Sequence, residues 1–171
     1  MNMLYTEADR SQATAERTKR RWIVVLPAVL LLLAAIASFV WFRLHRDVSG
    51  WIWTGLLTVA GGAYYLFFNG VYLHPVALYK KHVDYMLDGN KRETVGILKD
   101  ITDEVLDHDG LDCRMITVNI GDKNASEDDR TYYLDARVSI PAQLKPGDRV
   151  RVLSNDRMIA ALDPEGKEEN K

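Results

Sequence analysis

Residues 22–42, WIVVLPAVLLLLAAIASFVWF, and residues 51–73, WIWTGLLTVAGGAYYLFFNGVYL, are two apolar runs without a single Asp, Glu, Lys, Arg or His. They are 21 and 23 residues long. At about 1.5 Å per residue in a helix, each run reaches over about 30 Å, the thickness of a bilayer's hydrocarbon layer. The eight residues between them, Arg43 to Gly50, leave room for no more than a tight return. The pattern predicts a transmembrane helical hairpin over 22–73.

Basic residues orient it. Five precede the first run (Arg10, Arg17, Lys19, Arg20, Arg21), two lie in the connector (Arg43, Arg46), and four follow the second run (Lys80, Lys81, Lys91, Arg92). Cytoplasmic flanks carry the excess of Lys and Arg, so both termini are expected in the cytoplasm and the connector outside. The expected interface anchors are Arg20, Arg21, Trp22, Trp41, Trp51, Trp53, Tyr72, Lys80 and Lys81, where amphipathic rings and basic heads settle among lipid headgroups. Arg20-Arg21, the apolar core and Ala35-Ile36-Ala37 imitate a secretory signal. The run continues through Phe39-Val40-Trp41-Phe42, however, and this reads as a retained span. The expected location is a bacterial cell membrane, with the lipid bilayer as first partner.

Small residues mark helix-packing candidates: Ala34 and Ser38 in the first span, and Gly55, Thr58, Gly62 and Asn69 in the second. Such faces let backbones approach closely in lipid. They could pack on each other within one chain, or serve a homo-oligomer or a membrane-protein partner. The lack of ionisable residues in either span argues against a proton relay or ion pathway.

Residues 1–21 are polar apart from Met3-Leu4-Tyr5 and read as a disordered or frayed helical arm that ends in the basic cluster Arg17, Lys19, Arg20 and Arg21. His74-Pro75 should end the second span. Val76, Tyr79, Val83, Met86 and Leu87 then recur at helical spacing before Gly89-Asn90, which predicts an amphipathic juxtamembrane helix over 74–89. His74 and His82 lack a metal spacing and read as interfacial polar residues.

From Glu93 the period becomes two. Strands are expected at Thr94–Ile101, Asp103–His108, Leu111–Ile120, Thr131–Ser139, Asp148–Leu153 and Arg157–Leu162. Asp109-Gly110 and Asn155-Asp156 would be hairpin turns. The apolar parity shifts from Leu111, Cys113, Met115 to Ile116, Val118, Ile120, which suggests a bulge near Met115-Ile116. Short strands without a helix among them fit a small all-β barrel of the OB or SH3-like kind over 90–162, with 163–171 a disordered tail. The fold class is therefore α+β: a two-helix transmembrane hairpin followed by a small cytosolic barrel.

The stretch Leu144-Lys145-Pro146-Gly147-Asp148-Arg149-Val150-Arg151-Val152, followed by Met158-Ile159-Ala160-Ala161-Leu162, resembles the close of such barrels. With the preceding membrane helices, it resembles the bacterial NfeD-type membrane proteins, which carry a C-terminal OB-type barrel. The resemblance implies a scaffolding or accessory role beside a larger membrane protein.

Residues 91–171 hold 13 Lys and Arg against 18 Asp and Glu. An acidic, membrane-tethered domain is poorly suited to neutralising nucleic-acid phosphates, so no nucleic-acid partner is expected. There is no Gly-rich phosphate loop, CxxC, HExxH or nucleophile elbow. No catalytic, cofactor or metal residues are therefore expected. Cys113, the single cysteine, reads as a small core residue. His108 between Asp107 and Asp109 reads as a solvated turn, Glu127-Asp128-Asp129 as a solvated loop, and Asn124-Ala125-Ser126 as a sequon that a cytosolic loop would never present. The expected function is non-enzymatic: a cytosolic barrel for protein–protein interaction. The alternative is a membrane-tethered sensor or ligand-binding module.

Overall fold

The computed structural model describes residues 3–46, 49–121, 125–140 and 144–165. The sequon's Asn124 and the tail beyond Glu165 lie outside them. The chain forms two compact units, one of Gln12–Ala77, the other of Met1–Ser11 together with Leu78–Lys171.

In the first unit, α1 (Glu7–His45) runs through Ser11 and both the polar arm and the first apolar run without a break. Helix α2 (Gly50–Phe68) passes through a π turn, Asn69–Leu73, into α3 (His74–Asp88). Both apolar helices are long and apolar enough to cross a membrane. The two long helical stretches, Glu7–His45 and Gly50–Asp88, each contain a proline, and each proline is accommodated differently. Pro27 lies inside α1 and cannot donate to the carbonyl of Ile23. The Tyr64 hydroxyl of α2 donates to that carbonyl instead, at 3.1 Å. Pro75 was expected to stop the second helix, but the helix continues. The π turn just before it absorbs the proline, with the His74 N–H reaching back five residues to the Asn69 carbonyl.

The second unit is built on five strands: β1 (Arg92–His108), β2 (Leu111–Asn119), β3 (Asp129–Asp135), β4 (Arg149–Asn155) and β5 (Met158–Pro164). They close into a ring in the order β1-β2-β3-β5-β4. β1 makes closure possible: Arg92–Ile97 pairs with β4, and Ile97–His108 with β2. It is one long strand where two short ones were expected. Three of its residues, Thr102 to Glu104, stand opposite Met115 alone, so the bulge is on β1, across from the position the parity shift marked. β3 stops at Asp135, short of the expected Ser139, and Val138 lies in the turn that follows. β2 ends at Asn119, which leaves Ile120 exposed. Asp109 and Gly110 take φ of 54° and 78°, and Asp156 and Arg157 take 46° and 68°, so both hairpins turn through two left-handed residues.

The bulge separates two cores. Leu98, Ile116, Val118, Tyr132, Leu134, Val150, Val152, Ile159 and Leu162 fill the ring. On the other side of the bulge, Cys113 joins Met158 and Ala160 in a second cluster with Val83 and Met86 of α3 and with Tyr5. α3 therefore caps the strands with its apolar face.

Residues 3–11 are no disordered arm. Leu4 donates its N–H to the Ala160 carbonyl at 2.9 Å, and Met3 bridges to Ala161. Beyond its single parallel pairing with β3 at Met158, β5 would present a bare edge. The N-terminal segment covers it. Arg10 then pairs with Asp88 and, at 3.3 Å, with Asp84 of α3. The tail's first residues are also ordered, since Glu165 donates its N–H to the Arg149 carbonyl and pairs with Arg149 and Arg151.

Gly96 is buried where a methyl group would overlap the Asn119 carbonyl and the Val118 side chain. Gly96→Ala should cost about 2 kcal/mol through overpacking, read as faster amide exchange in β1 and β2. Tyr64→Phe should loosen the hairpin by about 1 kcal/mol, because it leaves the Ile23 carbonyl without a donor in an apolar setting; helix–helix association of the spans in detergent would measure it.

Candidate functional site

The hairpin brings together a different set of residues from the small-residue face. The side of α2 turned to α1 carries Thr54, Leu57, Gly61, Tyr64 and Phe68, alternately three and four apart. Thr54 Oγ1 donates to Ser38 Oγ at 3.5 Å, and a Cβ on Gly61 would stand 3.3 Å from that of Leu31. Of the expected packing residues, Ser38 lies in this seam, and Ala35 is the buried alanine where Ala34 is exposed. Gly55, Thr58, Gly62 and Asn69 are all exposed, and nothing lies within 4 Å of where a Cβ would sit on Gly55 or Gly62. Packing within the chain does not account for that face. The 3.6-residue period turned it away from α1, and Thr58 satisfies its hydroxyl on the Thr54 carbonyl.

The expected anchors lie at or beside the ends of the two apolar runs, although Arg20, Arg21 and Trp22 fall within the continuous α1 and Lys80 and Lys81 within α3. Trp22, Trp41, Trp51 and Trp53 are exposed. Trp41 stacks on His45, and Trp51 meets Phe39 edge-on. Arg20 pairs with Glu16 at 2.8 Å and lies 4.6 Å over the Tyr72 ring, donating to the Tyr72 carbonyl at 3.3 Å. Arg21 is exposed, Lys80 pairs with Asp84, and Lys81 lies 5.5 Å from the Tyr85 ring.

In the second unit the notable constellation is the seat of the N-terminal segment. Tyr5 is almost fully buried, and its hydroxyl lies 2.9 Å from Nε2 of buried His82, the direction of the bond following the ring tautomer. Tyr79 stands beside His82, with the Arg137 guanidinium 4.1 Å over its ring. Asp135 lies across the β2–β3 ladder from Cys113. One of its oxygens accepts the Arg137 N–H at 2.9 Å, and the other is buried without a partner.

Burial governs the titration here. It pushes His82 down to about 4 and Cys113 up to about 11, and it raises Tyr5 and Asp135. Each shift favours the uncharged form. A buried thiol without positive neighbours is a poor nucleophile, so this cluster is suited to holding Met3–Tyr5 in place. His108 stacks flat on Tyr133 at 3.7 Å, and Asp107 accepts the Gly110 N–H at 3.2 Å. Asp129 is held by Asn119 at 2.6 Å and Lys99 at 3.4 Å. Among the described residues, no three His, Cys, Asp or Glu side chains are placed to share a metal ion.

Met3-Leu4-Tyr5 was visible in the sequence as the one apolar cluster of a polar arm. Periodicity carries no information about its partner strand at the other end of the chain. Comparison with protein-family models, curated proteins and solved structures finds no match for this chain.

With a folded-state value near 4 and an ordinary value near 6.5, His82 favours the fold above pH 6.5. Its contribution should be lost as pH falls from 6.5 through 4, by up to about 3 kcal/mol. Asp135, raised in the fold, acts in the opposite sense. The measurement is therefore the difference between the native chain and His82→Gln, which should lose this pH dependence while Asp135 cancels.

Proposed function

We propose that this chain is a non-enzymatic integral membrane protein, seated in a bacterial cell membrane with both termini cytoplasmic. Its ring of strands is an OB-type barrel that binds another protein, in the role of adaptor, assembly factor or accessory subunit. The observation that carries the reading is the seating of residues 3–5 on β5. The segment before the first apolar helix and the domain after the second belong to one folded unit. Two crossings return the chain to the side it left, in agreement with the excess of basic residues on the outer flanks.

The exposed face of Gly55, Gly62 and Asn69 supports a homo-oligomer or a membrane-protein partner, since small residues in lipid allow close helix approach. The order β1-β2-β3-β5-β4, with β3 parallel to β5, supports an OB-type barrel over an SH3-like one, and with it the kinship to NfeD-type proteins. A second reading is a membrane-tethered ligand-binding module. It is favoured by two open cavities in the strand domain, of about 400 and 580 Å³.

In intact cells an impermeant maleimide should label Ser49→Cys and spare Lys145→Cys until lysis; labelling of Lys145→Cys in intact cells would overturn the topology. Crosslinking in intact cells followed by mass spectrometry should return one abundant membrane partner, or self-crosslinks centred on the Gly55–Asn69 face. Neither outcome appearing would remove the interaction role.

A further inference from the structure

We infer that the strand-domain cavity of about 580 Å³ is a binding site for a phosphoryl-bearing anion, held by Arg92, Arg130 and Arg157. This deepens the ligand-binding reading and rests on it, but it depends neither on the membrane topology nor on a protein partner.

The argument begins with charge. The domain holds 18 carboxylates against 13 basic side chains, so a surface guanidinium has no shortage of partners. Arg149 and Arg151 pair with Glu93 and Glu165, and Lys99 with Asp129. Arg137 covers Tyr79, and Arg114 donates to the Ala136 carbonyl. Like Arg114, three further arginines form no ion pair with a carboxylate among the described residues: Arg92 at the start of β1, Arg130 at the start of β3 and Arg157 in the β4–β5 turn. All three line the same cavity, of about 580 Å³. Among the described residues, Arg130 donates only to the carbonyls of Glu127 and Asp129. The one carboxylate lining the cavity, Asp156, forms no ion pair with any of the three.

Antiparallel pairing sets these residues at one end of the ring, where β1 and β3 begin and the β4–β5 turn lies. The walls add four hydroxyl-bearing residues, Thr94, Thr131, Tyr132 and Ser154, of which Ser154 and Tyr132 are only 6% and 7% exposed and have no side-chain hydrogen bond among the described residues. Planar guanidinium forks match phosphoryl oxygens bidentately, and converging hydroxyls complete such a shell.

Arg157 adds an independent observation. Its φ of 68° lies in the left-handed region, which a long side chain occupies at a cost and glycine occupies freely. Arg157's carbonyl accepts the Tyr133 N–H at 2.9 Å, which fixes the turn's backbone and leaves the side chain free for the cavity. For folding alone, glycine would serve better at this position.

The test uses the full chain in nanodiscs of neutral lipid, titrated with inorganic pyrophosphate and followed calorimetrically. Saturable binding is expected, weakened about tenfold or more by Arg92→Gln and by Arg130→Gln, and unchanged by Lys145→Gln outside the cavity. Arg157→Gly should raise the thermal midpoint and weaken binding together, a combination that misfolding does not produce. Absence of saturable binding, or binding indifferent to all three changes, overturns the site and leaves the topology and crosslinking results standing. Competition then identifies the source. Short-chain phosphatidic acid displacing pyrophosphate at lower concentration marks a lipid headgroup, and its failure to compete marks a soluble phosphate ester.

Discussion

The hydrogen bond from the Leu4 N–H to the Ala160 carbonyl ties the beginning of the chain to its last strand. Everything between them must leave and come back. The two apolar helices become a closed excursion from one folded unit, and the strand that would otherwise expose its edge acquires a neighbour from its own chain. Burial of Tyr5 against His82 then places a phenol and an imidazole where neither can charge cheaply. The same cluster seats α3, through Val83 and Met86, on the strands.

A second constraint acts within the apolar helices, where each backbone carbonyl without a donor is costly. Pro27 and Pro75 each remove a donor, and the chain answers in two ways. Tyr64 reaches across to Ile23, so satisfying one carbonyl also fastens α2 to α1. The π turn at Asn69–Leu73 re-routes the second set of bonds within its own helix. The seam follows Thr54, Gly61 and Tyr64, and the Gly55–Gly62 face is left exposed on the outside.

In the strand domain, the bulge on β1 does the dividing. It lies within the part of β1 that pairs with β2, beyond the Arg92–Ile97 part that pairs with β4, and it changes which face of β2 looks inward. Ile116 and Val118 fill the ring while Cys113 looks to α3. Tyr132 and Tyr133 separate in the same manner, one into the ring core and the other against His108. Two clusters on either face of β5 explain why Met158 through Leu162 are all buried.

The sequence by itself determined the two apolar helices, the amphipathic helix with Val83 and Met86 on its buried face, the two hairpin turns and most strand positions. These are local properties, written in periods of 3.6 and 2 and in residues that accept positive φ. The parity shift in β2 was legible as well, although the extra residues sit on its partner, because a bulge in either strand of a pair disturbs the same register. Tertiary structure alone decided the rest. Whether Pro75 ends a helix depends on a π turn, whether Gly55 or Gly61 faces α1 depends on the helix's rotation, and whether residues 3–5 are ordered depends on an edge at the far end of the chain. Three arginines at positions 92, 130 and 157 carry no common signal in sequence. Strand pairing brings them to one cavity, because antiparallel neighbours place the start of one strand beside the end of the next.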